Sequence, residues 1–205
     1  MTLGDAAVEL PLFPLGSVLF PDGLLELKIF EARYLDLMSR CMRESTPFGV
    51  VGLKSGREVK GAGGVELFEV GTTAELIDVD SASTGILLVR CRGGKRFTLE
   101  ATRQEPDGLW VGAVSAIDGD AAVAPSSSQA DIVKSLVEAI AALAAQGARP
   151  FLEPHRFDDA GWVANRWCEI LPLPVEAKQR LLTLMDPVAR LDVVESLMRV
   201  KRDDH

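Results

Sequence analysis

Residues 10–42 read LPLFPLGSVLFPDGLLELKIFEARYLDLMSRCM, and three patterns follow one another within them. The first is an apolar run broken by Pro11, Pro14 and Pro21. In LLELKIF (24–30), Leu25, Leu27 and Ile29 alternate with Glu26, Lys28 and Phe30, the pattern of a half-buried strand. In EARYLDLMSRCM (31–42), Tyr34, Leu37, Met38, Cys41 and Met42 recur at helical spacing. A two-residue period giving way at once to a helical one predicts a strand running straight into a helix.

Downstream, Thr46-Pro47 stops the helix, because a residue before proline is pushed out of the α region. FGVVGLK (48–54) then predicts a short buried strand, and the polar, glycine-rich KSGREVKGAGG (54–64) a surface loop. From Val65 to Asp118 the chemistry is that of strands: VELFEVGTTAELIDVD, GILLVRCRG, KRFTLEATRQ and LWVGAVSAID are rich in branched and aromatic residues. Ser83-Thr84-Gly85, Gly93-Gly94 and Pro106-Asp107-Gly108 separate them as hairpin turns, and Gly71 marks a bulge or bend. Short strands without intervening helices predict an antiparallel sheet curling into a barrel.

Past Asp118 the pattern turns helical. GDAAVAPSSS (119–128) has no large side chain to bury and reads as a linker. Ser128, with Asp131 three residues on, is the expected N-cap of a helix carrying Ile132, Val133, Leu136, Val137, Ile140, Leu143 and Ala144 inward and ending near Gly147. A second helix is predicted from near Asp158 through Trp162, Val163, Trp167 and Ile170, stopped by Pro172 and Pro174. A third carries Leu181, Leu182, Leu184 and Met185. Asp186-Pro187 starts a fourth, with Leu191, Val194, Leu197 and Met198 inward. The expected organisation is α+β: a β-barrel subdomain with one helix over residues 1–118, a linker over 119–128 and a helical bundle over 129–205.

Charge and cysteine usage narrow the function. The net charge is -8, and residues 1–118 carry 12 basic against 17 acidic side chains while 119–205 carry 10 against 13, so neither half presents the field a phosphate backbone seeks. Cys41, Cys91 and Cys168 lie far apart with no CxxC pair, which predicts reduced thiols and a cytoplasmic protein. No run approaches the roughly 18 apolar residues of a membrane span. The opening MTLGDAAVEL lacks the basic start and apolar middle of a signal peptide.

Catalytic constellations are excluded largely by counting. There are two histidines, His155 in a loop and His205 at the last position, so any Ser-His-Asp or Cys-His site would have to use His155. No cysteine or histidine pair has metal-ligand spacing. KGAGGVE is not GxGxxG, and RGGKRF lacks the flanking residues of a P-loop. Asp158-Asp159 reads as a helix cap and Asp203-Asp204 as a solvated tail. The expectation is no catalytic residue, no metal and no cofactor.

Two features stay open to function. Arg90, Arg92, Lys95 and Arg96, with Arg103 placed near them, form a basic strand that either meets an anionic partner or is a solvated face opposite Glu100 and Glu105. Phe20, Pro21 and Leu24 around one turn, Phe151 and Phe157 in a loop, and Trp162 beside it either pack down between the halves or stay open to a partner.

LPLFPLGSVLFPDGLLELKIFEARY (10–34), FGVVGL (48–53), VGTTAELIDV (70–79), GGKRFTLE (93–100) and ILPLPVEAKQRLLTLMDPVARLDVV (170–194) together resemble the N-terminal, substrate-binding domain family of Lon proteases. The resemblance implies a PUA-like pseudo-barrel followed by a small helical bundle, and a role in capturing protein substrates. The ATPase and serine-lysine protease modules of full-length Lon have no counterpart in these residues, so it implies a stand-alone, non-enzymatic module, an adaptor in protein quality control. Glu31, Arg33 and Tyr34 match the family's E.RY positions, with Ala32 where proline is common. Glu31 is expected to favour the helix N-terminus and Tyr34 to face the sheet. On this reading a groove between barrel and bundle, lined by Phe20, Pro21, Leu24, Phe151, Phe157 and Trp162, takes unfolded or hydrophobic polypeptide segments or a partner protein. The rival is RNA on the Arg90/Arg92/Lys95/Arg96 face, since PUA-like barrels can bind RNA.

Overall fold

Strand β1 (Val8–Leu15) holds Pro11 and Pro14, which lack the N–H that a sheet ladder needs. It tolerates them by changing neighbours along its length. The last strand, β6 (Trp110–Ala116), pairs with residues 8–12 antiparallel, and β3 (Phe48–Ser55) pairs with residues 12–15 parallel. Each proline therefore lies where only one flank of β1 carries a ladder. The structure is a computed structural model that describes residues 7–55 and 65–203. The glycine-rich stretch 56–64, with most of KGAGGVE, and both chain ends lie outside the described residues.

The chain divides into two units, 1–119 and 120–205. In the first, β2 (Leu24–Ile29), β4 (Glu66–Ser83) and β5 (Ile86–Gln104) complete a sheet ordered β2-β5-β4-β3-β1-β6, and a β5–β6 pairing closes it into a ring with β2 on its flank. β5 gives residues 87–92 to β2 and 97–104 to β6 on one flank, while β4 takes the other. The sheet is antiparallel except for the β1–β3 pair, which departs from the wholly antiparallel expectation.

Gly85 (φ 77) and Gly108 (φ 91) sit in the left-handed region at the tips of the expected turns. Gly93-Gly94 is different, because β5 runs through it without a turn. The turn at Phe20–Gly23 lies directly on Gly93: Asp22 N donates to Gly93 O (2.7 Å), Gly93 N donates to Gly23 O (2.8 Å), and a Cβ at 93 would collide with the Phe20 carbonyl. A close backbone approach explains the glycine that sequence reading assigned to a hairpin. Gly71 has the same kind of cause. The Phe97 ring occupies the place of its Cβ and also presses on Gly49, so this one aromatic fills the ring interior with Leu10, Leu12, Val51 and Val114. An irregularity in the β4–β5 register follows at Thr72/Ala74.

Helix α1 (Ala32–Glu44) follows β2 at once, as its period required. Tyr34, Leu37, Met38 and Cys41 enter one cluster with Leu27, Ile29, Val50, Val89 and Cys91. Each such fully buried side chain stabilises by about 2 kcal/mol. Met42 falls outside that stripe and is 48% exposed. Glu31 is at the N-cap, but its carboxylate makes no cap bond. It takes Arg33 instead (2.9 Å), while Arg33 Nη1 donates to Gly108 O (2.6 Å) and the guanidinium lies 4.7 Å from the Tyr34 ring. The Glu31-Arg33-Tyr34 motif thus ties the helix start to the β5–β6 turn.

In the second unit, residues 120–126 have no regular structure yet are held in place. Arg190 meets Asp120, and Ala160 N donates to Val123 O (2.8 Å). A 3₁₀ turn (Ser127–Gln129) leads into α2 (Ala130–Ala145). The cap is Ser126 rather than Ser128: Gln129 Oε1 accepts from Ser126 N (2.9 Å), and the Ser128 hydroxyl bonds that of Ser126. Of the expected α2 stripe, Ile132 and Leu136 are buried, while Val137 is 42% exposed. Helix α3 (Ala160–Ile170) is buried along nearly all its length and packs against α2, α4 (Val175–Thr183) and α5 (Pro187–Asp203). Asp186 Oδ1 accepts from Val188 N and Ala189 N, as an N-cap should. Lys178 Nζ donates to Glu169 O (3.0 Å) in the last turn of α3, and burial lowers its pKa. Among the described residues, no helix is long and apolar enough to cross a membrane.

Candidate functional site

Asp159 caps α3 by accepting from Trp162 N (3.1 Å), which fixes the indole in the first turn of the helix. Three aromatic neighbours from the preceding loop gather on it: Phe157 at 5.5 Å between ring centroids, His155 at 5.6 Å and Phe151 at 6.4 Å. Phe157 and Phe151 meet it edge-on, the geometry aromatic quadrupoles favour. Arg166, one turn further along α3, places its guanidinium 5.5 Å from the Trp162 ring and 5.7 Å from Phe151 while bonding Glu169 at 2.7 Å. Trp162 and Phe151 are buried, whereas Phe157 and His155 are half-buried and form the accessible rim.

The structure therefore brings together three of the six apolar candidates and adds His155 and Arg166. His155 lies in the loop that its sequence position predicts, and its ring packs on Phe157 and Trp162. Nothing in the one-dimensional pattern marked Arg166 for burial. The signal available was its position four residues after Trp162, on one helix face.

The candidates of the first unit behave otherwise. Phe20 is fully buried, and neighbouring Leu19 belongs to the core, with its carbonyl accepting from Thr72 Oγ1 (2.7 Å). Pro21 and Leu24 are half-buried around the turn that clasps Gly93. The turn LFPDG is apolar because it closes onto the sheet.

The four cations do not share a face. Arg90, Arg92 and Lys95 are exposed, but Arg96 is 3% exposed, with Nη2 3.5 Å from Asp118 O. Strict alternation would keep Arg96 on the side of Arg90 and Arg92, but β5 carries an extra residue between Gly93 (opposite Ala74) and Arg96 (opposite Thr72), and this bulge turns Arg96 inward. Arg90 lies between Glu26 on β2, 3.3 Å away, and Asp78 on β4, while Arg92 lies opposite Glu75. The exposed cations thus sit in a ladder of acids. Arg103 continues the same strand and is held by Glu9 and Glu105.

A cavity of about 480 Å³ opens on the first unit beside Arg40, Lys95 and Arg103, with Glu9, Glu44, Glu75 and Glu105 among its walls. Charges of both signs alternate there without a converging set. All three thiols are reduced and buried. Burial pushes Cys91 and Cys168 up to about 12 and raises Cys41, so all three are protonated, poor nucleophiles at neutral pH. Among the described residues, no group of three His, Cys, Asp or Glu side chains is placed to hold a metal.

The strand ring with a following helical unit is the architecture of Lon N-terminal domains. A crystal structure of a Lon N-terminal domain protein from Xanthomonas campestris superposes with a TM-score of 0.74 at 31% identity, covering 92% of this chain and 98% of that one. The N-terminal domain of the Mycobacterium avium complex Lon protease shares the fold at 16% identity, with a TM-score of 0.65 over 91% and 96% of the two chains.

The family model for the ATP-dependent protease La (LON) substrate-binding domain matches residues 9–200, and this chain belongs to that family. Among curated relatives, the Lon protease of Anaeromyxobacter dehalogenans (strain 2CP-C) is 26% identical over 207 residues and Lon protease 2 of Myxococcus xanthus 25% over 202. Each match takes in 97% of this chain and 24% of the relative, so the chain spans about a quarter of their length.

Proposed function

We propose that this chain binds polypeptides as a substrate-recognition module of the Lon type, acting as an adaptor without covalent chemistry of its own. The observation that carries the reading is the family match from residue 9 to residue 200, because it takes in both units and every element between them. Half-buried side chains on each unit support it: the aromatic Phe157 and His155 on the second, and separately the apolar Pro21 and Leu24 on the first. Phe20, Phe151 and Trp162 serve this role as the rigid backing of those surfaces. The protonated, buried state of the thiols supports a binding role over nucleophilic chemistry.

The test is binding of a fluorescently labelled, reduced and carboxymethylated protein, compared with the same protein in its native disulfide-bonded form. Binding of the unfolded form alone, persisting at about 1 M salt where surface charge is screened, is the expected result. Equal or absent binding of the two forms overturns it. Retention of a homopolymeric RNA that falls steeply with salt would put the RNA reading in its place.

A further inference from the structure

β4 extends to Ser83, but β3 covers it only as far as Ala74. The ladder stops for a covalent reason. The residue before Phe48 is Pro47, which has no N–H, and Ser45 beyond it is in the left-handed conformation (φ 51) that ends α1. From Glu75 to Ser83, β4 therefore has β5 on one flank and no strand of the described residues on the other. A row of backbone donors and acceptors on such an edge is a template for another extended chain.

A cavity of about 680 Å³ runs along this edge, walled on its far side by the end of α1 and on its near side by β4. Met42 (48% exposed) and Ile77 (43%), the latter at an irregularity in the β4–β5 register, give it two apolar contacts. Its acidic lining residues are Glu75 and Asp78, and no lysine or arginine of the described residues lines it. Arg90 lies opposite Asp78 and Arg92 opposite Glu75 in the ladder, but the Arg90 guanidinium is engaged by Glu26, and both arginines belong to β5, on the other flank of β4 from the open edge. A second copy of the same edge would set Glu75, Asp78 and Asp80 against their own kind, and like charges directly opposite are destabilising. The occupant that matches both the backbone row and the charge is an extended polypeptide carrying lysine or arginine.

We propose that this protein captures a basic, extended polypeptide segment by strand addition to residues 75–83 of β4, the segment lying in the groove beneath Met42 and Pro47. The inference rests on the polypeptide-binding reading and adds to it a site on the first unit, beyond the Phe157 rim of the second. The peptide backbone supplies affinity through main-chain hydrogen bonds, and alternate side chains reach Glu75 and Asp78 or Ile77 and Met42. Strand addition has a register, so only every second amide of the peptide faces β4.

The test uses a capped peptide of about eight residues alternating lysine and valine, and two derivatives N-methylated on opposite alternate sets of amides. On the full chain, one derivative should bind at least about tenfold more weakly than the parent and the other nearly as well, since only one set donates to the edge. Backbone amides within 75–83 should exchange more slowly in the complex. A Glu75→Lys/Asp78→Lys variant, confirmed folded by circular dichroism, should lose affinity at low salt. Equal binding of both derivatives, or protection elsewhere while carboxymethylated protein still binds, overturns the edge and leaves the polypeptide reading standing. Failure of both probes overturns both. A concentration-dependent dimer protected at 75–83 would instead make the edge a contact between copies, and overturns the proposal.

Discussion

Arg190 holds Asp120 through two hydrogen bonds, Nη1 to Oδ2 at 2.6 Å and Nη2 to Oδ1 at 3.0 Å, across seventy residues of chain. The guanidinium is 1% exposed and also donates to Asn165 Oδ1, Leu181 O and Leu184 O, so every face of the charge is met. A buried ion pair is weak grounds for net stability, but breaking one side strands the other charge. Asp120→Ala should therefore destabilise the second unit by about 3 kcal/mol, while Asp120→Ala with Arg190→Met should be milder than the single change. Urea denaturation followed by tryptophan fluorescence checks this, with Trp162 and Trp167 in the second unit and Trp110 in the first.

Gly71→Ala should destabilise the first unit by about 1–3 kcal/mol, because the new Cβ occupies space already taken by the Phe97 ring. Phe97→Leu in the same chain should recover part of the loss, since its smaller side chain clears the ring contact, while the approach of the new Cβ to the Val50 carbonyl (2.6 Å) remains. A double-mutant cycle in denaturant reads the coupling. Additive losses would show that Gly71 is held by something other than this ring.

Phe157→Ser and Phe20→Ser should have opposite profiles. Phe157 is half-buried on the rim, so serine there should lower affinity for carboxymethylated protein about three- to tenfold with a small change in stability. Phe20 has no exposed surface, and serine there should cost about 3–5 kcal/mol of stability. Peptide titrations paired with thermal melts separate the two effects.

The thiols set an alkaline limit. The folded pKa of Cys91 and Cys168 is raised to about 12 from 9.0 by burial, so unfolded chains ionise first as pH rises. The stabilising contribution is complete below pH 9 and is lost as pH climbs toward 12, at about 1.4 kcal/mol per unit for each thiol. Urea midpoints measured from pH 8 to 11 should fall, and Cys91→Ala should flatten the slope. Lys178 acts in the opposite sense: its folded pKa is lowered from 10.5, so the folded chain releases its proton first and the penalty fades toward pH 10.5.

Sequence alone determined the elements whose cause is local. The switch of period at Phe30–Glu31, the caps at Asp159 and Asp186, the turns at Gly85 and Gly108, and the helix stop before Pro47 all depend on neighbouring residues, and they stand where their chemistry put them. The family likeness was legible for the same reason, since it was carried by contiguous segments. Tertiary structure alone decided what long-range contact dictates. Gly93 and Gly71 are glycines because a distant turn and a distant ring lie against them, and no local pattern encodes that approach. Arg96 and Arg190 are buried because partners from other elements receive their charge, and Arg166 because Phe151 from the preceding loop covers a guanidinium that Glu169 and Trp162 of its own helix already hold, whereas by composition all three belong on the surface. Phe20 was legible as apolar but not as closed over. The open β4 edge exists because the ladder with β3 ends at Ala74, and an unfilled flank is a relation between strands that no single segment encodes.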